Sequence, residues 1–488
     1  MTDSAVRLDS RDLFGNDAGE DEDPEVLSSY FVDLPVFRPF FDPEVKFSVA
    51  RARKGMGKSA LIAQLAHTLT GTAGSETVVV RATGSDFSEV SVGPQDGAAQ
   101  LVARWQERIT RLIAAHLGQS IKFAASETNI ALVEIAELEG FKERNLLGCL
   151  VDRFREKLGM TDSSKVDSES VLGRALGAAP DNLRVWVLID DIDATFLNNE
   201  NERLRLATFF SACRGMANTF RGVAIRVTVR SDVWGFLRRF DEALDKVEQY
   251  VLDISWTQDE LVVSISSKIR AHIQRQRVGG KEAMWQARRD KDRLLGLVFA
   301  ESWRWDERDV PPDRPLFVLS AGRPRWAAQL CRLAARVATA RGSERILWRD
   351  VMESAEKYGS LRLDDLYREH AHQCGDTAAV IACLSGGPSR YTTTELHKRF
   401  TDQLLRKRGP IDLDGVRGGG TPQTVTRFLF QIGFIAGRQR GVNAQVDYVR
   451  FEDQPNLLAN RDNWDDGLIW EVQPQYRVPL KIKKREDL

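Results

Sequence analysis

The sequence predicts an α/β fold, in which a parallel sheet is covered by helices. Short apolar runs of strand length alternate with longer segments of helical period, as in residues 45–50 and then 58–69. A glycine-rich turn joins that first strand to its helix. A later run, 185–189, is continuously apolar and ends in carboxylates, which is typical of a parallel strand buried on both faces.

Composition limits the classes of protein to consider. The chain has 488 residues, of which 42% are hydrophobic and 28% charged, as in a globular protein. Its net charge of -1 gives no overall basic field, so any nucleic-acid surface must be local. The five cysteines lack C-x-x-C spacing, which argues against a disulfide framework and favours a reducing, cytoplasmic location. No apolar run is long enough for a membrane helix, so we expect no membrane partner.

Residues 49–65, VARARKGMGKSALIAQL, have the spacing of a phosphate-binding loop, G-x-x-x-x-G-K-[ST], except that Ala52 replaces the first glycine. A small residue can serve there if its φ is negative. Loop and helix N–H groups would hold phosphates, Lys58 would reach the β- and γ-phosphates, and Ser59 would ligate Mg²⁺. The residues predicted to bind nucleotide here are Arg53, Lys54, Gly55, Met56, Gly57, Lys58, Ser59 and Ala60. The strand and helix around the loop argue against the alternative, a chance G-K-S at a helix start.

A phosphate loop requires a second motif, a buried strand that ends in carboxylates. The segment 183–196, LRVWVLIDDIDATF, has this pattern. We assign Asp190, with Ser59, to the metal shell and Asp191 to polarising the attacking water. Asp193 is the rival for the second role. A buried strand followed by a solvated acidic turn is the alternative interpretation.

Two arginines further along the chain are candidates for contacts to nucleotide. Arg230 ends the predicted strand 222–230, at the side of an open sheet where ligands bind, and it could sense the γ-phosphate. A surface arginine at a strand end fits equally well. Arg325 lies in the first turn of an amphipathic helix within LSAGRPRWAAQLCRLAARVA, and Arg323 is its alternative.

The order of these motifs resembles the bacterial P-loop ATPases of the AAA+ and STAND type, including KAP-like and origin-recognition-like proteins. The resemblance covers about residues 30 to 370. It implies ATP and Mg²⁺ as ligands, a homo-oligomer, and a role such as anti-phage defence with an effector protein partner. Arg325 matches the AAA+ sensor-2 arginine. Ala52 and the long interval between Ser59 and Asp190 depart from the pattern. Arg238 and Arg239 lie where relatives place an arginine finger, although a solvated helix face suits them better.

The domain organisation is predicted from changes of pattern along the chain. The expected parts are a disordered acidic N-terminus (1–25), a P-loop core (26–257) with a helical insertion at about 86–178, a helical lid (258–375), a winged helix (376–455) and a tail (456–488). The winged helix follows from three helical patterns and a hairpin, with Thr421 and Pro422 starting the third helix.

Basic residues outnumber acidic ones in the predicted winged helix, so it could contact DNA or serve only in packing. The basic residues singled out as candidates are Lys398, Arg399, Arg406, Lys407, Arg408, Arg427, Arg438 and Arg440. Three functions remain open: an ATPase that remodels a partner, a slow ATP-driven switch that oligomerises or releases an effector, and a DNA-binding protein gated by nucleotide.

Overall fold

The computed structural model describes residues 6–71, 77–120, 184–240, 242–276, 285–305, 308–440, 446–451, 453–454, 457–458 and 468–485. The chain forms two compact units. The first, called here the sheet unit, comprises residues 18–28 and 33–255. The second, called the C-terminal unit, comprises residues 1–17, 29–32 and 256–488.

A parallel sheet of five strands forms the centre of the sheet unit. Its strands are β1 (Phe47–Ala52), β2 (Thr77–Thr83), β3 (Arg184–Asp190), β4 (Val223–Arg230) and β5 (Val251–Asp253), in the spatial order β2-β3-β4-β1-β5. The register aligns Ala52 with Arg230 and Thr83 with Asp190, so the strands end at a common edge. The predicted α/β fold class is therefore confirmed.

Helices cover this sheet. Those of the first half of the chain are α1 (Pro24–Tyr30), α2 (Arg38–Phe41), α3 (Lys58–Gly71), α4 (Ala98–Ser120), α5 (Glu200–Thr219), α6 (Ser231–Phe240) and α7 (Asp245–Glu248). Helix α4 follows β2 and so falls within the predicted helical insertion, whose remainder, 121–178, lies outside the described residues. Trp105 of α4 and Phe209 of α5 stack edge-on at 5.0 Å and are fully buried, which fixes the insertion's first helix on the core.

A buried arginine anchors the segment that leads into β1. Arg226, in the middle of β4, donates to the backbone carbonyls of Phe40 at 2.6 Å and Asp42 at 2.7 Å. Its guanidinium also lies 4.7 Å from the centre of the Trp186 ring. Burial lowers the pKa of Arg226 to about 9. Because its donors are used by backbone oxygens, this arginine is a structural residue.

The C-terminal unit begins with helices that match the predicted lid. They are α8 (Gln258–Gln276), α9 (Lys291–Gly296), α10 (Asp313–Leu319), α11 (Pro324–Ala340) and α12 (Trp348–Glu369), and a small hairpin of β6 (Trp303–Trp305) and β7 (Arg308–Val310) interrupts them. Apolar residues of α8, α11 and α12 share one buried cluster. The three helices therefore pack around a common hydrophobic core.

The range predicted to be a winged helix and the predicted tail together contain helices and the strands of a small sheet. They are α13 (Thr377–Ala382), β8 (Arg390–Thr392), α14 (Thr393–Phe400), α15 (Arg406–Arg408), α16 (Pro422–Gln431), β9 (Ile435–Arg440), β10 (Val446–Val449) and β11 (Ile469–Val472). Thr421 caps α16, as its position before Pro422 predicts, by accepting a hydrogen bond from the Thr424 backbone N–H. An antiparallel sheet in the order β10-β9-β11-β8 completes this part.

The predicted tail is not a separate segment. Strand β11 pairs with both β8 and β9, which places it inside the C-terminal sheet. Trp470 in β11 is fully buried, and its indole N–H donates to the Thr393 hydroxyl at 3.0 Å. The predicted boundary at 456 therefore divides one sheet.

The prediction of a disordered N-terminus is wrong for the described residues from 6 onward. Leu13 and Phe14 are buried in the core of the C-terminal unit. Asp12 accepts from His272 at 3.1 Å and from Arg275 at 3.2 Å. Although burial opposes it, hydrogen bonds from Ser10, His272 and Arg275 lower the pKa of Asp12 to about 2. A few apolar anchors and specific ion pairs thus order an otherwise acidic and polar segment.

No helix among the described residues is both long enough and apolar enough to cross a membrane.

Candidate functional site

The loop between β1 and α3 has the backbone conformation that close approach to an anion requires. Gly55 and Gly57 have positive φ values of 82° and 99°, which glycine adopts without strain. A Cβ atom at Gly57 would meet nothing within 4 Å, so the loop opens onto free space there. Helix α3 begins at the next residue, and its first N–H groups are therefore available to an anion at this point.

Lys58 folds back over the loop. Its side chain is only 7% exposed, and its Nζ donates to the backbone carbonyl of Ala52 at 3.2 Å. Ala52 is not among the residues with positive φ, so alanine meets no conformational penalty in place of the expected glycine. The other predicted loop residues, Arg53, Lys54, Met56, Ser59 and Ala60, are half-buried around this turn.

Asp190 ends β3, which is separated from β1 by β4, and its side chain is held by a neighbour on β4. Its Oδ1 accepts a short hydrogen bond from the Thr228 hydroxyl and a second, at 3.0 Å, from the Asp191 N–H. Asp191 follows with a positive φ of 48°, which is uncommon for a residue other than glycine. The chain thus turns sharply directly after the strand, and Asp191 is exposed.

Asp193 has a different environment from Asp191. It is 1% exposed, and its Oδ2 accepts from the Arg230 backbone N–H at 3.2 Å and lies 3.5 Å from the Arg230 Nε. Its Oδ1 has no hydrogen-bond partner among the described residues. Arg230 also pairs with Asp232, with Nη2 2.5 Å from Oδ2. Arg230 is therefore held between two carboxylates at the sheet edge.

Burial affects the protonation of these carboxylates. The pKa of Asp193 is raised to about 6, because burial outweighs the nearby charges of Arg230 and Lys58. The pKa of Asp191 is also raised, first because neighbouring groups partly desolvate its carboxyl and then because of the adjacent Asp190. Because the Asp191 side chain is exposed to solvent, water screens the neighbouring charges. We therefore expect a smaller rise in pKa for Asp191 than for Asp193.

A segment that the sequence did not place near the site lies against it. Gly19, in a short 3-10 turn over Gly19–Asp21, packs on α3 so closely that a Cβ there would lie 2.6 Å from the Cβ of Ala60. Ser28, after this turn, accepts from the Gln64 amide at 3.3 Å. Glu20 belongs to the same turn and is one of the charges that raise the pKa of Asp191. The one feature of the sequence that could have indicated this contact is a glycine within an acidic stretch.

The residues at the sheet edge fit a nucleoside triphosphate with Mg²⁺. The positive-φ glycines and the start of α3 present N–H donors, and Lys58 supplies a buried positive charge next to them. Ser59 and Asp190 supply the oxygen atoms that Mg²⁺ prefers. The partnerless Oδ1 of the buried Asp193 indicates that a polar partner is missing from this edge.

Of the other predicted arginines, Arg323 and Arg325 lie in the C-terminal unit, whereas Arg238 and Arg239 lie on α6 of the sheet unit. Arg325 is half-buried in the first turn of α11, and its Nε has no hydrogen-bond partner among the described residues. Arg323, the alternative, is buried, and its Nη1 pairs with Glu369 Oε2 at 2.9 Å. Arg238 is exposed and pairs with Glu248 at 3.5 Å, while the side chain of Arg239 lies outside the described residues.

The basic residues of the predicted winged helix are not all equivalent. Arg406 pairs with Asp402 at 2.6 Å and Arg408 with Asp376 at 3.3 Å, although both arginines are exposed. Arg427 is exposed on α16. Arg438 lies 3.9 Å from the buried Glu471, which also accepts from Arg390 at 3.1 Å. Part of the basic charge in this region is thus balanced within the unit.

Comparison with known proteins gives a distant structural likeness. No family model matches the chain, and no curated protein matches it in sequence. The chain is similar to the Aeropyrum pernix ORC2 protein in ADPNP–ADP complexes, at 12% identity over 94% of this chain and 96% of that one, with a TM-score of 0.43. It is also similar to Cdc6p from Pyrobaculum aerophilum (12%, 94% and 96%, TM-score 0.33) and to the Thermotoga maritima RuvB Holliday junction branch migration motor (12%, 98% and 98%, TM-score 0.31).

These TM-scores are low, so the fold assignment rests on the sheet order and loop geometry of this chain.

Proposed function

We propose that this protein binds ATP and hydrolyses it with Mg²⁺ at the carboxyl edge of the β1–β4 sheet. One observation carries the proposal. The loop with two positive-φ glycines and a buried lysine lies at the same sheet edge as the carboxylates of Asp190 and Asp191. Phosphate binding and metal-assisted attack of water need these two groups side by side.

In this proposal the loop residues 53–60 orient the triphosphate, and Lys58 leaves the Ala52 carbonyl to face the β- and γ-phosphates. Mg²⁺, held by Ser59 and Asp190, would neutralise charge that develops on the phosphate oxygens. Asp191, exposed beside Asp190, accepts a hydrogen bond from the attacking water and aligns it.

Asp193 serves the site differently in this proposal. Because it is buried and bound to Arg230, it holds that arginine at the sheet edge and does not contact the water. Arg230 is partly exposed, and to sense the γ-phosphate it would exchange the Asp232 carboxylate for a phosphate oxygen. Between the two lid arginines, Arg325 is the better candidate for a nucleotide contact, since the guanidinium of Arg323 is already paired with Glu369.

We further propose that ATP drives an oligomeric switch or remodeller in the cytoplasm, acting with an effector protein partner, as in anti-phage defence. The resemblance of the motif order supports this role. ATP is preferred to GTP because the chain has no N-K-x-D motif in place.

The second candidate is a DNA-binding protein that uses nucleotide to gate its winged helix. The observation that favours it is the exposed basic surface of α15 and α16, which includes Arg406, Lys407 and Arg427.

The experiment is to size the purified full-length protein by light scattering with and without ATP, Mg²⁺ and duplex DNA, and to measure phosphate release in the same samples. Phosphate release together with an ATP-dependent increase in mass supports the switch. DNA binding that changes with nucleotide supports the second candidate. A protein that neither binds ATP nor releases phosphate contradicts the proposed function.

A further inference from the structure

Thr228 connects the two aspartates that the proposed function places in catalysis. It lies in β4, next to β3, and is fully buried. Its hydroxyl donates to Asp190 Oδ1 and accepts from the Asp191 N–H at 3.2 Å. The same N–H also reaches Asp190 Oδ1 at 3.0 Å. A hydroxyl, an amide and a carboxylate therefore form a closed ring, named here the Thr228 ring.

The ring uses one oxygen of Asp190. Both of its hydrogen bonds to the carboxylate end on Oδ1, so Oδ2 is not engaged by the ring. A carboxylate fixed through one oxygen can present the other in a constant direction to a metal or to water. The orientation of Asp190 is thus set by a residue from the neighbouring strand.

The ring also holds an unfavourable backbone conformation. Asp191 has a positive φ of 48°, and its N–H is fixed by Thr228 on one side. On the other side its carbonyl lies against Gly84, where a Cβ atom would be only 2.6 Å from the Asp191 oxygen. Neighbouring elements on both sides therefore determine the turn that presents the Asp191 side chain.

We propose that Thr228 is a positioning residue for ATP hydrolysis, which acts by orienting Asp190 and the turn at Asp191. The proposal rests on the proposed function, because it concerns the same site. Thr228 does not contact nucleotide in it. Its hydroxyl is needed because Asp190 Oδ1 and the Asp191 N–H would otherwise each lose the hydrogen-bond partner that the fully buried Thr228 supplies.

The test compares Thr228→Val, which keeps the shape and removes the hydroxyl, with Thr228→Ser, which keeps the hydroxyl. The matched control is Thr208→Val in α5. Thr208 is equally buried, but its hydroxyl bonds only to the backbone carbonyls of Leu204 and Arg205. For each full-length protein we would measure ATP affinity, kcat for phosphate release, and the midpoint of thermal unfolding.

We expect Thr228→Val to lower kcat by about ten- to a hundredfold, the value of a hydrogen bond to a charged group, with ATP affinity changed by less than about threefold. Thr228→Ser should recover most of the rate. Thr208→Val should keep the wild-type kcat, since a structural loss of one buried hydroxyl does not act on the aspartates.

Gly84→Ala gives a second test that does not depend on Thr228→Val folding. Its Cβ would displace the Asp191 carbonyl, so kcat should fall while ATP still binds. A wild-type kcat in either Thr228→Val or Gly84→Ala overturns the inference, as does failure of Thr228→Ser to recover activity. If the wild-type protein itself releases no phosphate, the proposed function fails and this inference fails with it.

Discussion

The charged residues of the sheet edge and those at the start of α11 are used in opposite ways. At the sheet edge, Lys58 donates to a neutral backbone carbonyl, and one oxygen of the buried Asp193 has no partner among the described residues. At the start of α11, Arg323 is paired with Glu369 at 2.9 Å, with both side chains almost fully buried. Arg323 also lies 4.0 Å from the centre of the Trp326 ring.

This difference separates charged residues that are available to bind a ligand from charged residues that stabilise the fold. A buried charge that is fully paired stabilises a local arrangement and has nothing left for a ligand. A buried charge or carboxylate with incomplete partners costs stability, and a ligand can recover that cost. On this basis we propose the sheet edge as the binding region, whereas the Arg323–Glu369 ion pair stabilises the C-terminal unit.

The largest effect is expected on hydrolysis. Asp191→Asn keeps the shape of the side chain and removes the charge that aligns water. We expect ATP binding to persist and phosphate release to fall by about 10²- to 10⁴-fold, the usual range for loss of a general base. Single-turnover phosphate release measures this.

The control for that prediction is Asp193→Asn, which alters the buried carboxylate. We expect its ATP binding to persist and its rate to fall less than that of Asp191→Asn. If only Asp193→Asn abolishes hydrolysis, the roles of the two residues are reversed. An oligomer that still forms with ATP in Asp191→Asn would favour the switch over an enzyme that needs turnover.

The next largest effect is expected on stability, when the buried Arg323–Glu369 ion pair is broken. Glu369→Leu leaves Arg323 buried without its partner, and we expect a loss of about 3–5 kcal/mol in the free energy of unfolding of the C-terminal unit. The double variant with Arg323→Met should recover most of that loss. Chemical unfolding followed by tryptophan fluorescence measures it. For comparison, Arg7→Ala breaks the exposed pair with Asp9 and should leave the free energy of unfolding almost unchanged, because water screens this pair. Equal losses of unfolding free energy in Glu369→Leu and Arg7→Ala would mean that the buried pair stabilises the protein no more than the exposed pair does.

Lys58→Ala tests the binding side of the comparison. ATP at about 100 times Kd should stabilise the wild-type protein by roughly 2.7 kcal/mol. Without the charge that faces the phosphates, this gain should disappear. Thermal unfolding with and without ATP and Mg²⁺ measures it, and Lys246→Ala, at an exposed lysine on α7, should keep the wild-type gain. A gain that survives in Lys58→Ala means that the loop is not the site.

The protonation of Asp193 should make the free energy of unfolding depend on pH, and the direction of that dependence can be derived. Its pKa is raised to about 6 in the folded protein, mainly by burial, so the folded state binds more protons than the unfolded state above about pH 4. Its contribution to stability therefore falls as pH rises from about 4 to 6 and is constant above that. Urea unfolding of the wild type and of Asp193→Asn across this range should show the difference. Parallel pH curves would mean that Asp193 is ionised in the folded protein throughout.

Much of this site could be predicted from the sequence because its signals are local. The loop, the start of α3 and the aspartates at the end of β3 each follow from a few consecutive residues. Thr228 and Gly84 could not be predicted, because their roles depend on the register between strands that are distant in the sequence. The ordered structure of residues 6–28 was also not predicted. Their composition is polar, and it gives no signal that Leu13, Phe14 and Gly19 pack against the rest of the protein.

The smallest effect is expected for DNA, because the basic residues of α15 already have partners. If the predicted winged helix binds duplex DNA, log K should fall with log salt by about 0.9 for each phosphate contact. Arg406 and Arg408 are paired with Asp402 and Asp376, but both pairs are exposed and therefore weak enough for phosphate to replace the carboxylate. Replacing Arg406, Lys407 and Arg408 by glutamate should flatten the salt dependence by up to about three contacts. Fluorescence anisotropy with a labelled duplex at several salt concentrations measures the slope. Arg7→Glu, far from this helix in sequence, is the control for reversal of a single charge elsewhere in the chain. An unchanged slope in the triple variant, or no binding by the wild type at low salt, would remove DNA from the proposed functions and leave nucleotide binding at the sheet edge as the remaining proposal.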